Sequence, residues 1–188
     1  MSGARLSTGS SAWAESPNES VSMAPISEDL LVPVLEPYSY KGCRYLLDAN
    51  YGRTGDAMLG HANFSIPEPV YIRSTGHFNA VELVLCYNQL FYCTFAQGVL
   101  NQDVAEVAGW SMEDYYQQQL PGILIKNSSA RFKRQIDARQ ISARLVVDDF
   151  RIVERTVRYL QLQSSIEFTD PHGGSAVGEF ELAILNIP

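Results

Sequence analysis

Residues 80–95 read AVELVLCYNQLFYCTF, and a helix built from that run has no side left for water. At ~100° per residue, Val81, Leu83, Val84, Leu85, Cys86, Tyr87, Leu90, Phe91, Tyr92 and Phe95 point in every direction around the axis. A helix that is apolar all round is buried in protein or in a membrane. This one spans about seventeen residues and carries Asn79, Glu82, Asn88 and Gln89, too polar a set for a clean membrane span. It is therefore expected to be a core helix, and the rest of the chain has to wrap it.

The rest of the chain supplies strands. Ser27-Glu28-Asp29-Leu30 opens a short amphipathic helix, with Ser27 as N-cap, acids in the first turn and Pro37 as the stop. Tyr38-Ser39-Tyr40-Lys41-Gly42 reads as a polar aromatic turn. Residues 43–50 and 56–66 read as two strands joined through the glycines of residues 51–55, and Pro67 and Pro69 close the second. After the central helix, Ser111-x-x-Asp114 has the form of a capping box and starts a short helix reaching Gln119. From there the period is two: residues 123–134, 141–149, 152–163, 164–169 and 176–185 alternate, with Pro171-His172-Gly173-Gly174 as a turn. Short links between successive strands imply antiparallel pairing. One long buried helix wrapped by a curved antiparallel β-sheet is an α+β fold. No dinucleotide fingerprint, phosphate-binding loop or nucleophile elbow occurs. Residues 25–188 are expected to form one domain, with the Ser-rich residues 1–24 as a disordered tail.

The net charge of −7 argues against a nucleic-acid partner, which requires a basic face. The first residues lack the apolar segment of a secretory signal, and a membrane association is not expected. Cys43, Cys86 and Cys93 are odd in number and form no paired motif, which fits a reducing, cytoplasmic setting. His61, His77 and His172 lack metal-ligand spacing, so neither a metal nor another cofactor is expected.

Chemistry concentrates where the central helix begins. The loop Tyr71-Ile72-Arg73-Ser74-Thr75-Gly76 runs into His77, Phe78 and Asn79. On the helical wheel Asn79, Glu82, Cys86 and Gln89 share one quadrant, while Asn88 points nearly opposite Asn79. First-turn N–H groups around residues 76–79 are expected to be free to hold an oxyanion or a polarised carbonyl. Arg73 is placed to grip a carboxylate, with Lys41 and Arg44 as alternatives further off. A buried Glu82 needs a partner or a raised pKa. Arg73, His77 and Glu82 together offer an anion holder, an acid/base and a second carboxylate. The blander alternatives are that Arg73 only pairs with Glu82, that His77 only caps the first turn, and that Cys86 is a small core residue.

The strings LEPYSYKGCRYLLDA (residues 35–49), YIRSTGHFNAVELVLCYNQL (residues 71–90) and the terminal ELAILNIP resemble the FcoT-like thioesterase family, over about 160 residues. That resemblance implies the hot dog fold of acyl-thioester enzymes. It also implies one of two activities. One is hydrolysis of acyl-CoA or acyl-carrier thioesters. The other, known from relatives in isonitrile-lipopeptide and β-amino-acid macrolactam pathways, is addition of glycine to the β-carbon of a (2E)-enoyl thioester on an acyl carrier protein. The product is an N-(carboxymethyl)-3-amino-acyl species, which some members then hydrolyse. A non-catalytic acyl-binding module is the remaining alternative.

The family pattern places Tyr38, Tyr71, Asn79 and Asn88 along the thioester, with His77 and Glu82 beside them. The expected catalytic residues are His77, Glu82 and Tyr71. The expected substrate-binding residues are Arg73, Ser74, Gly76, Phe78, Asn79, Tyr38, Lys41 and Asn88. Glycine addition is favoured because a cation such as Arg73 suits an amino-acid carboxylate and not a fatty tail. Expected partners are an enoyl-loaded acyl carrier protein, glycine, and a second copy of the chain in a homodimer or larger assembly. For an acidic carrier, the densest local basic patch is Arg131, Lys133, Arg134, Arg139 and Arg144, which otherwise reads as a solvated strand face.

Overall fold

The computed structural model describes residues 21–188, so the tail expected over residues 1–24 lies for the most part outside the described residues. The chain opens with a two-residue strand, β1 (Ala24–Pro25), and two short helices, α1 (Glu28–Val34) and α2 (Glu36–Ser39). A hairpin of β2 (Leu46–Thr54) and β3 (Ala57–Phe64) precedes the central helix, α3 (Ala80–Leu100). Then come α4 (Met112–Gln119), β4 (Ile123–Arg134), β5 (Ile141–Glu154), β6 (Arg158–Thr169) and β7 (Ser175–Leu185). The strands form one antiparallel sheet in the order β1-β2-β3-β5-β6-β7-β4.

The apolar run is the core helix. It is long and apolar enough to cross a membrane by composition, yet 72% of its apolar window is buried inside the protein. Leu83, Cys86, Tyr87, Leu90, Phe95 and Ala96 are fully buried against the inner sheet face, which is lined by Phe64, Leu145, Leu162, Phe168 and Leu182. The Tyr87 hydroxyl lies 2.7 Å from Ser164 Oγ on β6, so the one polar atom of that ring is satisfied at the helix-sheet contact. Contact at this distance needs small residues. A Cβ added to Gly60 of β3 would stand 2.4 Å from Thr94 Oγ1 and 3.2 Å from Leu90 Cδ1 on the helix. The long helix wrapped by one curved antiparallel sheet is the hot dog fold.

Three local expectations differ from the structure for identifiable reasons. Pro37 does not stop a helix but sits in the first turn of α2, where its missing N–H costs nothing. The hairpin turns at Gly55-Asp56, with Gly55 at φ 56°, and Thr54 pairs with Ala57. Gly52 lies inside β2 because the chain before β1 runs across it: a Cβ there would meet Met23 Sδ at 2.5 Å. The expected break at residues 149–152 is a bulge within β5, where Asp149 takes φ 54° and the register to β6 slips between Asp148 and Arg151. The true turn is at residues 155–157.

Candidate active site

The start of α3 is a closed capping box. Asn79 is the N-cap, and its Oδ1 accepts from the backbone N–H groups of Val81 (2.9 Å) and Glu82 (3.3 Å). Glu82 Oε2 accepts the Asn79 N–H at 3.0 Å. The Leu83 N–H is taken by the Asn79 carbonyl, the Phe78 N–H by Ile136 O, and the Gly76 N–H by Ser74 Oγ. The row of free N–H groups expected around residues 76–79 is therefore not there. The helix starts at Ala80, where the apolar run begins, and the Asn79 and Glu82 side chains take the N–H groups of Asn79, Val81 and Glu82.

What the box does instead is assemble a polar cluster. Asn79 Nδ2 donates to the Tyr71 hydroxyl at 2.9 Å, and that hydroxyl lies 3.1 Å from Glu82 Oε1. Both carboxylate oxygens of Glu82 are thus engaged, and the residue is only 1% exposed. Its partners are a phenol and a backbone N–H. No ion pair with Arg73 forms, so the arginine does not serve merely to neutralise Glu82. Burial raises the Tyr71 phenol pKa above its ordinary value; the Asn79 amide opposes that shift and the Glu82 carboxylate adds to it. Tyr71 stays a protonated donor at neutral pH.

His77 stands on the outer side of this cluster. Its Nδ1 lies 3.1 Å from the Thr75 carbonyl, and a carbonyl can only accept, so Nδ1 carries a proton and, in the neutral ring, Nε2 is the nitrogen with the lone pair. The Thr75 hydroxyl donates back to the His77 carbonyl at 2.9 Å, which fixes the loop around the ring. His77, Phe78, Asn79 and Ala80 line a cavity of about 430 Å³ with Phe132 and Gln135 from the end of β4. Phe78 forms its floor, fully buried, with its ring centroid 5.0 Å from Phe168 and 6.3 Å from Phe132. A second cavity of about 510 Å³ opens on the other side of the loop, between Ser74 and Gly76 and residues 135–139, with Asp170 and His172.

The structure thus joins Tyr71, Asn79 and Glu82 by hydrogen bonds, His77, Phe78 and Asn79 around one cavity, and Ser74 and Gly76 at the next. It leaves others apart. Arg73 is exposed at the loop surface. Lys41 stands 4.8 Å over the Tyr40 ring and lines neither cavity. Tyr38 is half-buried against Tyr92, with ring centroids 6.3 Å apart, and burial, then Tyr92, raise its phenol pKa. Asn88 lies half-buried on the helix strip of Val81, Val84 and Leu85, away from the Glu82 side. Gln89, on the Glu82 side, is a structural tie: its Oε1 accepts from Tyr45 and Leu46 N–H (2.9 and 3.0 Å) and its Nε2 donates to Cys43 O (2.9 Å). Cys86 is fully buried, and burial, then Glu82, raise its thiol pKa well above the ordinary value, so it is an inert core residue. Among the described residues no group of three or more His, Cys, Asp or Glu could hold a metal ion.

Three contributors escaped the sequence reading. Gln135 and Phe132 reach the cavity from more than fifty residues downstream of His77, a proximity that only sheet pairing creates. Tyr45 holds the loop by accepting the Val70 N–H at 3.1 Å. Its signal was its place in the string shared with the family.

A helix capped by Asn79, with a carboxylate-backed tyrosine at its start, beside a histidine-lined cavity in a hot dog fold, fits the acyl-thioester class of proteins. Residues 33–184 match the FcoT-like thioesterase domain, and the chain belongs to that family. It is 56% identical over 170 residues to the (2E)-enoyl-[ACP] glycyltransferase of Mycobacterium marinum, spanning 90% of this chain and 92% of that one. The (2E)-enoyl-[ACP] glycyltransferase of Streptomyces coeruleorubidus is 34% identical over 166 residues, spanning 86% and 98% of the two chains. Among solved structures, the E. coli PaaI protein aligns over 82% of this chain and 92% of its own at 7% identity and a TM-score of 0.44.

Proposed function

We propose that this protein adds glycine to the β-carbon of a (2E)-enoyl thioester carried on an acyl carrier protein, giving an N-(carboxymethyl)-3-amino-acyl thioester. The observation that carries this is the shared activity of relatives at 56% and 34% identity that cover nearly the whole chain. The site geometry supports it. Glycine is a zwitterion, and only its neutral amine attacks. His77 Nε2, the open nitrogen of a neutral imidazole, takes a proton from the ammonium. The amine lone pair then forms the N–C bond at the β-carbon, and the C=C π electrons move to the thioester oxygen. As charge develops there, Tyr71 turns its single O–H from Glu82 to that enolate oxygen while Asn79 Nδ2 keeps the hydroxyl in place, and Glu82, which holds Tyr71 in the resting site, acts as a positioning residue. The enolate collapses to the thioester as the α-carbon takes a proton back from His77, so the step needs no redox partner. Arg73 holds the glycine carboxylate from the loop surface. Ser74, Gly76 and Phe78 line the substrate path, whereas Tyr38, Lys41 and Asn88 line neither cavity and have no part in it.

Hydrolysis of the thioester is the second reading, favoured by membership of a thioesterase family. It needs the same polarised carbonyl with water in place of the amine. A cytoplasmic setting fits the three free cysteines.

A homodimer belongs to the same proposal. Among the described residues strand β4 pairs only with β7, which leaves its other edge open there. The inward residues Ile125 and Phe132, in register with buried Leu182 and Ala176, remain 38% and 39% exposed. Val81 on the facing helix is 52% exposed. A second copy along this edge would cover all three and close the His77 cavity, which Phe132 borders.

Intact mass spectrometry of a (2E)-enoyl acyl carrier protein, incubated with this protein with and without glycine, tests the chemistry. A protein-dependent gain of one glycine, lost in His77→Ala, is expected. Release of free acid without any adduct would leave the hydrolase reading in its place.

A further inference from the structure

The C-terminal end of β4 and the loop after it carry Arg131, Lys133, Arg134 and Arg139, all exposed, in a chain of net charge −7. Among the described residues none of the four has an ion-pair partner; Lys41, Arg73, Arg144 and Arg155 are likewise unpaired, so clustering is what sets the four apart. Within β4 itself there is a contrast: Lys126, toward the other end of the strand, is neutralised by Glu181. The nearby carboxylates Asp137 and Asp170 are held by backbone donors and form an ion pair with none of the four. Asp170 accepts the N–H groups of Asp137, His172 and Gly174, and Asp137 accepts that of Arg139. Glu179 is exposed on β7 opposite Ser129, but makes no pair with Arg131. Asp137 and Asp170 stay charged while they accept N–H groups, but the four cations outnumber Asp137, Asp170 and Glu179, so the local field is net positive on an acidic molecule.

Position gives the patch a purpose. Arg131 and Arg134 are in register with Val177 and Ser175, the outward residues that alternate with buried Ala176 and Gly178, so they lie on the convex face and stay accessible when the β4 edge is covered. Phe132 and Gln135, their immediate neighbours, line the His77 cavity, and Arg139 lines the larger one beside Ser74 and Gly76. The cations thus stand around the mouths of both cavities. We infer that this face docks the acidic surface of the carrier protein, and that the acyl-loaded arm enters the His77 cavity between β4 and the 74–77 loop. This rests on the proposed use of a carrier-linked substrate.

The test compares Arg131→Gln/Lys133→Gln/Arg134→Gln with the unaltered protein on one enoyl group carried three ways: on the acyl carrier protein, on coenzyme A and on pantetheine. For the carrier-linked substrate, kcat/KM is expected to fall about tenfold or more, and the drop to shrink as salt rises. The pantetheine thioester should be handled as before, which also reports an intact fold. Equal loss on coenzyme A and carrier would mean that the cations bind phosphate and not a protein surface, and would overturn the inference, as would equal loss on all three or none. Fluorescence anisotropy of the labelled, enoyl-loaded carrier reads docking without turnover. Salt-sensitive binding weakened in the variant upholds the docking face even if no glycine is ever added; absence of binding by the unaltered protein rejects it.

Discussion

Tyr71, Glu82, Asn79 and His77 divide the work by burial. Glu82 is sealed in, with both oxygens accepting, and reaches the substrate only through the Tyr71 hydroxyl. Tyr71→Phe should therefore lower kcat on the order of a hundredfold with little change in KM, in the range seen when one oxyanion donor is lost. The Asn79 N–H still holds Glu82 Oε2, but the buried Oε1 loses its phenol donor, so a loss of about 1–3 kcal/mol of stability is expected as well; steady-state kinetics beside a melting curve checks both. Arg73→Ala should raise the KM for glycine far more than that for the acyl thioester. Equal effects on the two substrates would remove Arg73 from the amino-acid site.

The central helix depends on its cap and on the glycine beneath it. Asn79→Ala removes the acceptor for the Val81 and Glu82 N–H groups and should cost about 1 kcal/mol of stability, read from the denaturant midpoint. It should also lower activity, because Asn79 holds Tyr71 as well. Gly60→Ala acts by overpacking. Its Cβ would press on Thr94 and Leu90 in a fully buried layer, and a loss of roughly 1–3 kcal/mol is expected without direct damage to the site. If Gly60→Ala proved neutral in a urea titration, the helix would ride higher on the sheet than described.

For the molecule as a whole, protons kept on buried groups set the alkaline limit of stability. Eight tyrosines, Tyr38, Tyr45, Tyr51, Tyr71, Tyr87, Tyr92, Tyr115 and Tyr116, and the three cysteines have raised pKa values, burial being the largest cause in each. In the unfolded chain cysteines ionise near about 8.5 and tyrosines near about 10. Above those values the unfolded state has lost protons that the folded state still holds, so stability falls as pH rises. Urea midpoints should hold steady through neutral pH and drop from about pH 9 upward. At lower pH the sign reverses for Asp103 and Asp170. Hydrogen-bond donors lower both pKa values against the opposing effect of burial. Their contribution is present above the ordinary carboxylate range and lost as pH falls through their folded values.

The periodicities carried the architecture. An apolar run with no wet face has to be a core helix, and strict alternation from Ile123 onward has to be sheet, because those patterns are fixed by helix and strand geometry. The capping signature of Ser111 and Asp114 was legible for the same local reason, and it formed as expected. The strings around residues 35–49 and 71–90 carried the family. Long-range placement was not legible. That Gly52 is a crossing point and not a turn, and that Asp149 is a bulge, depends on neighbours distant in sequence. Which side of the loop His77 would take was set by the Thr75 carbonyl and by β4, not by its five-residue spacing from Glu82. Sequence alone determined which groups are at hand and which segments must be buried, since both follow from residue type and period. Only the tertiary structure decided that Glu82 lies behind Tyr71 and that Phe132 and Gln135 close the cavity, because those contacts exist only once the sheet has paired.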